Sequence, residues 1–435
     1  STAVLFTGLR AACSQTATGT MLAPLLLLLT MPAGATAASA SVEATLDLDA
    51  QASPFPHYWK RCFGSGHVLL GTRADWREHM ARSAAEIGVQ GLRMHGVMDD
   101  DLSVAPQKGE YHFYSVDLVY DFMLKHGVKP IVELSFMPKA LVTCGGKGEP
   151  DCNWSFGAPG SYRALNHPPD NWEDWYDLVH AMAQHMVDRH GLAEVSSWHW
   201  EVWNELWGMR YPHPYLDLYN ASARAIKSVH ETLRVGGPAT AGLAFVQEFV
   251  NDTKAMGIPV DFVSTHSYPS DPYCSNTDDP ECFTKKLLAT RAIAQEAGYP
   301  FLITEYKDGL QGGPGCAYGG KHGDMAYAAA FILHTIPTLT ELDMFSWWTI
   351  SDVFEEGWLS GIPFCTLTRP HSIHCPDNLY ECYLTCLTVR WPGLAWPGLL
   401  ACLCCLDRRR LRTSDITGSG KAGLPCVPGA LPYLL

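Results

Sequence analysis

The sequence predicts an eight-stranded (β/α)8 TIM barrel, and three observations support this fold class. Short apolar runs alternate with amphipathic stretches over residues 62–356, which is typical of parallel strand–helix units. This span fits a barrel of about 250 residues with additional loops. Polar or aromatic residues recur at the carboxyl ends of the predicted strands, where barrel active sites are built. A doubly wound sheet would alternate in the same way, but no G-x-G-x-x-G follows a strand and no Walker-type loop is present.

The individual elements follow from the same alternation. Apolar runs predict strands at 89–94, 128–134, 198–203, 260–266, 300–304 and 344–349. Amphipathic stretches predict helices at 116–126, 172–190, 215–233, 283–297 and 325–335. Six residues then fall at strand carboxyl ends and are expected to meet at one rim of the barrel: His95, Glu133, Glu205, His266, Glu305 and Trp348.

The composition predicts a folded chain with a sizeable core and no basic face. Of 435 residues, 47% are hydrophobic and 17% are charged, and the formal net charge is −14. Nucleic-acid binders and proteins of anionic membranes need a basic surface, so we predict neither partner. No H-E-x-x-H and no Cys/His metal spacing occurs in the barrel region, so we expect no metal and no other cofactor. The sequence makes no prediction of oligomeric state.

The flanks of the barrel differ from it in character and divide the chain into four regions. Residues 1–40 are predicted to be an upstream segment and a signal peptide, because Met21 precedes the leucine run 25–29 and Ala38-Ser39-Ala40 offers a small-residue cleavage site. A short anchor is the alternative, although the run is too short to span a bilayer. Residues 41–61 form an N-terminal extension, 62–364 the catalytic barrel and 365–435 a Cys-rich tail.

The predicted leader implies a secreted, extracellular protein, or one of a lysosome-like or vacuolar compartment, with glycans and disulfides. Asn153, Asn220 and Asn251 each begin an Asn-x-Ser/Thr acceptor triplet. Two cysteine pairs flank loops and either cross-link them or remain free thiols: Cys144 with Cys152, and Cys274 with Cys282. The tail holds eight of the 15 Cys, shows no helical or strand period, and matches no standard zinc spacing.

Two glutamates carry the strongest functional signal. In the stretch 198–205, period-2 alternation places Glu201 and Glu205 on one face, which a barrel would turn inward. Glu305 ends another apolar strand and is expected at the same rim. Buried carboxylates are costly unless they are paired, hydrogen-bonded or functional. Either glutamate could simply pair with Arg93, but two together suit glycoside hydrolysis, which needs one protonated and one ionised carboxyl group.

These residues also carry a family resemblance. The chain resembles glycoside hydrolase family 39, the family of β-xylosidases and α-L-iduronidases, over about 59–356. The matching segments, in order, are 93–96, 132–139, 203–205, 235–238, 261–268, 303–306 and 348–356. The resemblance implies a (β/α)8 barrel, a retaining mechanism, Glu205 as acid/base and Glu305 as nucleophile. The accessory β-sandwich usual in the family is not recognisable here, so we expect it to be absent or incomplete.

Further site residues are predicted around the two glutamates. Arg93 is expected to support a carboxylate rather than to bind substrate. Candidate sugar-binding residues are His95, Glu133, Asn204, His266, Tyr268, Trp348, Glu355 and Glu356. Family members usually have Pro after the acid/base Glu, whereas this chain has Leu206, so we expect a shifted turn with its chemistry intact.

The substrate prediction depends on charge. No Lys or Arg occurs between Val260 and Asp271, where the family's iduronidases carry a basic residue, so a neutral pentose and a β-xylosidase-like secreted hydrolase are favoured. The alternatives are an iduronidase-like hydrolase of uronic-acid glycans, with its basic residue on another loop, and a catalytically silent sugar-binding barrel. The predicted partner is in each case a carbohydrate.

Overall fold

The barrel is closed and all of its neighbouring strands are parallel. A computed structural model of the protein describes residues 55–145, 165–274, 280–308 and 326–351, single residues 51 and 353, and three short N-terminal strands. The barrel strands are β4 (Phe63–His67), β5 (Gly91–His95), β6 (Lys129–Leu134), β7 (His199–Val202), β8 (Arg234–Thr240), β9 (Phe262–Ser267), β10 (Phe301–Tyr306) and β11 (Met344–Trp347). They run in chain order around the barrel, and β11 closes it against β4. The predicted fold class is therefore confirmed.

The helices follow the strands in the predicted alternation. They are α1 (Ala74–Glu86), α2 (Tyr114–Lys125), α3 (Trp172–His190), a short α4 (Leu192–Val195), α5 (Tyr215–Val229), α6 (Val246–Met256), α7 (Pro280–Glu296) and α8 (Ala326–Thr338). Within the described residues, every helix is too short or too polar to cross a membrane.

Helix α3 begins and ends where its sequence predicts. The Asn171 side chain accepts a hydrogen bond from the backbone N–H of Glu173, which caps the first turn. Arg189 and His190 lie in the last turn, where positive charge complements the helix dipole. The buried face of α3 packs on α5, and the Trp175 indole donates to the Ser222 hydroxyl at 2.9 Å. The predicted bounds, 172–190, are those of the helix itself.

Two strands are absent from the predicted set because glycine interrupts their apolar pattern. β4 reads Phe-Gly-Ser-Gly-His, and β8 contains Gly236 and Gly237 before a proline. A side chain at Gly64 would place its Cβ 2.2 Å from the Trp348 ring, and one at Gly236 would reach 2.3 Å from the Phe262 carbonyl oxygen. Both strands are glycine-containing because other groups pack against their backbones, a requirement that hydrophobic periodicity does not reveal.

The chain divides into two compact units, Asp49–Cys402 with the barrel, and Ser1–Leu48 with Leu403–Leu435. In the second unit β1 (Leu5–Phe6), β2 (Pro24–Thr30) and β3 (Ser41–Thr45) form an antiparallel sheet in that order. The leucine run of the predicted leader lies in β2. Residues 354–435, with the predicted tail and the end of the barrel, lie outside the described residues, as do Glu355, Glu356 and Cys152.

Candidate active site

Arg93 is the centre of a buried ionic network inside the barrel. It lies on β5 and its side chain is fully buried. Nη1 donates to Glu305 Oε1 at 2.6 Å, and Nη2 lies 2.8 Å from both Asn204 Oδ1 and Glu133 Oε2. Nε donates to Glu201. One guanidinium thus holds three carboxylates and an amide, and its planar set of donors fixes their positions.

Glu305, on β10, is held at both of its carboxylate oxygens. Oε1 accepts from Arg93, and Oε2 accepts from the Tyr268 hydroxyl at 2.8 Å. His266 Nδ1 lies 3.6 Å from Oε2. Burial raises the pKa of Glu305, and the nearby His266 and Arg93 act in the opposite direction. The carboxylate is therefore immobile, with donors that favour its ionised form.

Glu205 reaches the same rim from a loop and not from a strand. β7 ends at Val202, so the alternation predicted through residue 205 stops three residues early. Trp203, Glu205 and Leu206 have φ of 71°, 49° and 56°, and the Glu205 N–H donates to the Ala239 carbonyl at 2.8 Å. The inward direction of Glu201 follows from the strand, whereas that of Glu205 is set by this left-handed loop.

The Glu205 and Glu305 side chains face each other across His266. One oxygen of each carboxylate and a His266 ring nitrogen all lie within 4.8 Å of one another. His266 Nδ1 is 2.9 Å from Glu205 Oε1. Burial lowers the pKa of His266 to about 4, so the ring is neutral near pH 7. Burial also raises the pKa of Glu205, opposed by His95 and Arg93. Since two adjacent carboxylates resist double ionisation, the pair retains a proton more readily than either group alone.

We assign that proton to Glu205. Glu305 receives donors from Arg93 and Tyr268, which stabilise its anion. Glu205 has no such cation in direct contact among the described residues, and its side chain keeps 18% of its surface exposed. The arrangement therefore separates one acid from one anion.

Glu133 and His95 form a supporting pair beside Arg93. Glu133 is fully buried; it accepts from the Ser135 hydroxyl and from His95 Nδ1 at 2.8 Å, and it contacts Arg93. Burial raises the pKa of Glu133, but Arg93 and His95 outweigh it and hold the pKa below its usual value. The predicted sugar contact of Glu133 is therefore corrected: its oxygens are occupied by protein donors, and it orients Arg93 and His95.

The other predicted binding residues lie at the same end of the barrel. His95 turns Nε2 toward Glu305 Oε1 at 3.9 Å, and its ring lies 4.7 Å from the Trp348 ring. Trp348 is 3% exposed. Asn204 is buried and uses Oδ1 for Arg93. Tyr268 and His266 contact the glutamates as described above, and Glu355 and Glu356 lie outside the described residues.

Sequence reasoning missed Trp207. Its indole N–H is a hydrogen-bond donor to Glu205, and its backbone oxygen accepts from Trp203 Nε1 at 2.8 Å. The available signal was an aromatic residue two positions after the candidate acid. By itself that signal is weak because most aromatic residues belong to the core.

A second cluster by ligand type, His67 with Asp99 and Asp101, is an ion-paired histidine. His67 Nε2 lies 2.8 Å from Asp99, and Nδ1 lies 2.6 Å from Asp101. Burial lowers the pKa of His67, but the two aspartates outweigh it and raise the pKa well above its usual value. Because a carboxylate occupies each ring nitrogen, the geometry suits an imidazolium rather than a metal ligand.

With this geometry established, comparison with known proteins identifies the family. The model of the glycosyl hydrolases family 39 matches residues 42–375. The chain belongs to glycosyl hydrolases family 39. A family 39 β-xylosidase structure from Caulobacter crescentus superposes with a TM-score of 0.61 at 29% identity, covering 73% of this chain and 67% of that one.

Two β-xylosidases are similar in sequence to this family 39 chain. That of Caldicellulosiruptor saccharolyticus is 36% identical over 326 residues, 71% of this chain and 63% of the relative. That of Geobacillus stearothermophilus is 31% identical, over 69% of this chain and 62% of the relative. The α-L-iduronidase of Mus musculus matches more weakly, at 24% identity over 35% of this chain and 22% of its own length. The chain thus spans somewhat under two thirds of the length of these β-xylosidases.

The cross-linked loop before α7 has the predicted disulfide. Cys274 and Cys282 are joined, with Cα atoms 6.0 Å apart. This confirms one of the two cross-links that the cysteine spacing allowed. The other would involve Cys152, which lies outside the described residues.

Replacing Leu206 with proline, the usual family residue, should destabilise this protein. Proline is restricted to φ near −65°, whereas Leu206 has φ of 56°. We expect a loss of about 1–3 kcal/mol in the free energy of unfolding, measured by urea denaturation. Leu206→Gly is the matched control and should stay within about 1 kcal/mol of the parent protein, because glycine adopts positive φ freely. An unchanged midpoint for the proline variant would show that the loop readily adopts the other backbone.

Proposed function

We propose that this protein is a retaining glycosidase that hydrolyses β-xylosides. The observation that carries the proposal is the opposed pair of Glu205 and Glu305, whose nearest oxygens lie within 4.8 Å. Retaining glycosidases hold their carboxyl groups about 5–5.5 Å apart, whereas inverting enzymes need about 6.5–9.5 Å to admit a water. The pair also argues against a silent sugar-binding barrel, since binding alone does not require two opposed, buried carboxyl groups.

The proposed reaction has two displacements. Glu305 attacks the anomeric carbon while Glu205 transfers its proton to the departing oxygen, which yields a xylosyl-enzyme ester and the free alcohol. Glu205, now ionised, takes a proton from water, and the resulting oxygen nucleophile displaces Glu305. Arg93 and Tyr268 stabilise the Glu305 carboxylate before attack and after release. Burial keeps Glu205 protonated in the resting protein because it raises its pKa.

A neutral sugar is favoured over a uronic acid. Arg93, the cation nearest the two glutamates among the described residues, is already surrounded by Glu133, Glu201 and Glu305. A substrate carboxylate would need a further cation, since an unpaired buried charge binds poorly. Buried Lys307, which follows β10, is the feature that favours the iduronidase-like alternative.

Hydrolysis of nitrophenyl glycosides tests this proposal directly. We expect turnover of nitrophenyl β-xyloside at a rate well above that of α-L-iduronide, with β-xylose as the first product seen by proton NMR. First appearance of α-xylose would overturn the retaining mechanism. Preference for the iduronide would overturn the substrate, and inactivity toward a panel of glycosides would favour a binding protein.

We further propose that the protein is secreted. The Cys274–Cys282 disulfide, the exposed acceptor Asn251 on α6 and the leucine run before Ala40 support this proposal. Expressed in a secreting eukaryotic host, the chain should accumulate in the medium, begin near Ser41, and lose mass on glycan removal. A variant lacking residues 21–40 is the matched control and should stay inside the cell. Equal retention of both forms would contradict the proposal.

A further inference from the structure

We propose that Trp207 forms the leaving-group side of the site, where its indole N–H positions Glu205 and its ring supports a second sugar. This inference rests on the proposed glycosidase function and extends it to the part of the substrate that departs. It concerns a residue that has no counterpart in the motifs discussed above.

Trp207 is held in place from several directions. Its ring stacks on Phe136, with centroids 5.6 Å apart and planes 8° from parallel. Its backbone N–H donates to the Asn204 carbonyl at 3.2 Å, and its own carbonyl accepts from the Trp203 indole. The next residue is Gly208, where a Cβ would lie 1.9 Å from the Asn166 carbonyl oxygen. The side chain therefore has a defined orientation beside Glu205.

The location of Trp207 follows from the role of its neighbour. The acid of a glycosidase lies beside the oxygen of the leaving group, because it must protonate that oxygen. Trp207 donates to this acid and is itself partly exposed, whereas Trp203 and Trp348 are buried. One face of the indole is covered by Phe136. The remaining exposed surface is apolar and aromatic, which suits stacking against a pyranose ring.

The indole N–H also acts on the protonation of Glu205. A donor stabilises the ionised carboxylate, so Trp207 lowers the pKa that burial raises. Other ionisable groups act on Glu205 from the surrounding strands and loops, and all remain in the variants below: Arg93, His95, Glu133, His266, Asp271 and Glu305. Loss of the indole N–H should therefore move the basic limb of kcat/KM to higher pH.

Two substitutions separate the two contributions. Trp207→Phe removes the N–H and keeps a ring, whereas Trp207→Leu removes both. The substrates are xylobiose and methyl β-xyloside, which have alkyl leaving groups with and without a second ring. Trp172→Leu is the matched control, since Trp172 is also partly buried but belongs to α3.

The leucine variant should lose about 10-fold in kcat/KM on xylobiose and less than about 3-fold on methyl β-xyloside, in keeping with the loss of one ring contact. The phenylalanine variant should stay within about 3-fold of the parent on both substrates. In both variants the basic limb should move up by about half a pH unit, and the control should change neither quantity.

Both effects are required by the proposal. Equal losses on the two substrates, or a basic limb at the parental pH in both variants, would overturn it, while the parental enzyme still hydrolyses xylosides. Inactivity of the parental protein on all glycosides would overturn the proposed function, and this inference with it. Thermal melts of each variant identify any loss that arises from unfolding, and the substrate ratio and the pH limb are unaffected by the fraction of folded enzyme.

Discussion

Glu305→Ala should lower hydrolysis of an activated aryl β-xyloside by several orders of magnitude while the protein stays folded. The substitution removes the atom that bonds to the anomeric carbon. Added azide should restore turnover by entering the vacated space, and the product should be α-xylosyl azide, because a single displacement inverts the β-substrate. Rates, product NMR and a thermal melt are the measurements.

Folding is expected to survive because Arg93 keeps its other acceptors. Glu201, Glu133 and Asn204 still surround the guanidinium when Glu305 is absent. We therefore expect a cost of no more than about 1–3 kcal/mol in the free energy of unfolding. Glu248→Ala on α6, an exposed carboxylate, is the matched control for activity and melting. A folded Glu305→Ala variant with more than about a tenth of parental activity would contradict a covalent role for this residue.

Glu205→Gln should show a loss that depends on the leaving group. General acid catalysis contributes about 10²–10⁴-fold, and this loss should appear in full on xylobiose. A dinitrophenyl leaving group needs little protonation, so its release should be nearly unaffected and the xylosyl-enzyme should accumulate. The basic limb of the pH profile should disappear, because it reports the raised pKa of Glu205.

Azide distinguishes this variant from the previous one. With Glu305 intact, azide should attack the xylosyl-enzyme and yield β-xylosyl azide, the product of two displacements. Glu248→Gln serves as the control. Equal losses on xylobiose and the dinitrophenyl xyloside, with an unchanged basic limb, would mean that Glu205 has a structural role alone.

Much of the barrel could be predicted because its signals are local. The helix 172–190 carries its own cap, apolar face and terminal charges, and it was predicted at its observed bounds. β4 and β8 could not be predicted, because Gly64 and Gly236 answer to Trp348 and to the Phe262 backbone, which are distant in sequence. The amphipathic pattern describes what a segment buries, and these strands bury their own backbone.

The site was predicted in part for the same reason. Glu305 ends an apolar strand, and a carboxylate at that point of a parallel barrel faces the rim whatever its neighbours are. The strand argument for Glu205 reached the correct rim by the wrong route, since three residues with positive φ turn the chain after Val202. Glu133 was expected to meet the sugar, but Arg93, His95 and Ser135 occupy it.

The sequence by itself determined the fold class, the family and the two glutamates, because strand–helix alternation and the residues at strand ends are written in neighbouring positions. The tertiary structure alone decided which groups share a charge. Arg93 joins residues of four different strands and loops, and His266 lies between two carboxyl groups that are 100 positions apart in the chain. Electrostatic interactions depend on distance and burial in space, and closure of the barrel is what brings these residues within hydrogen-bonding range.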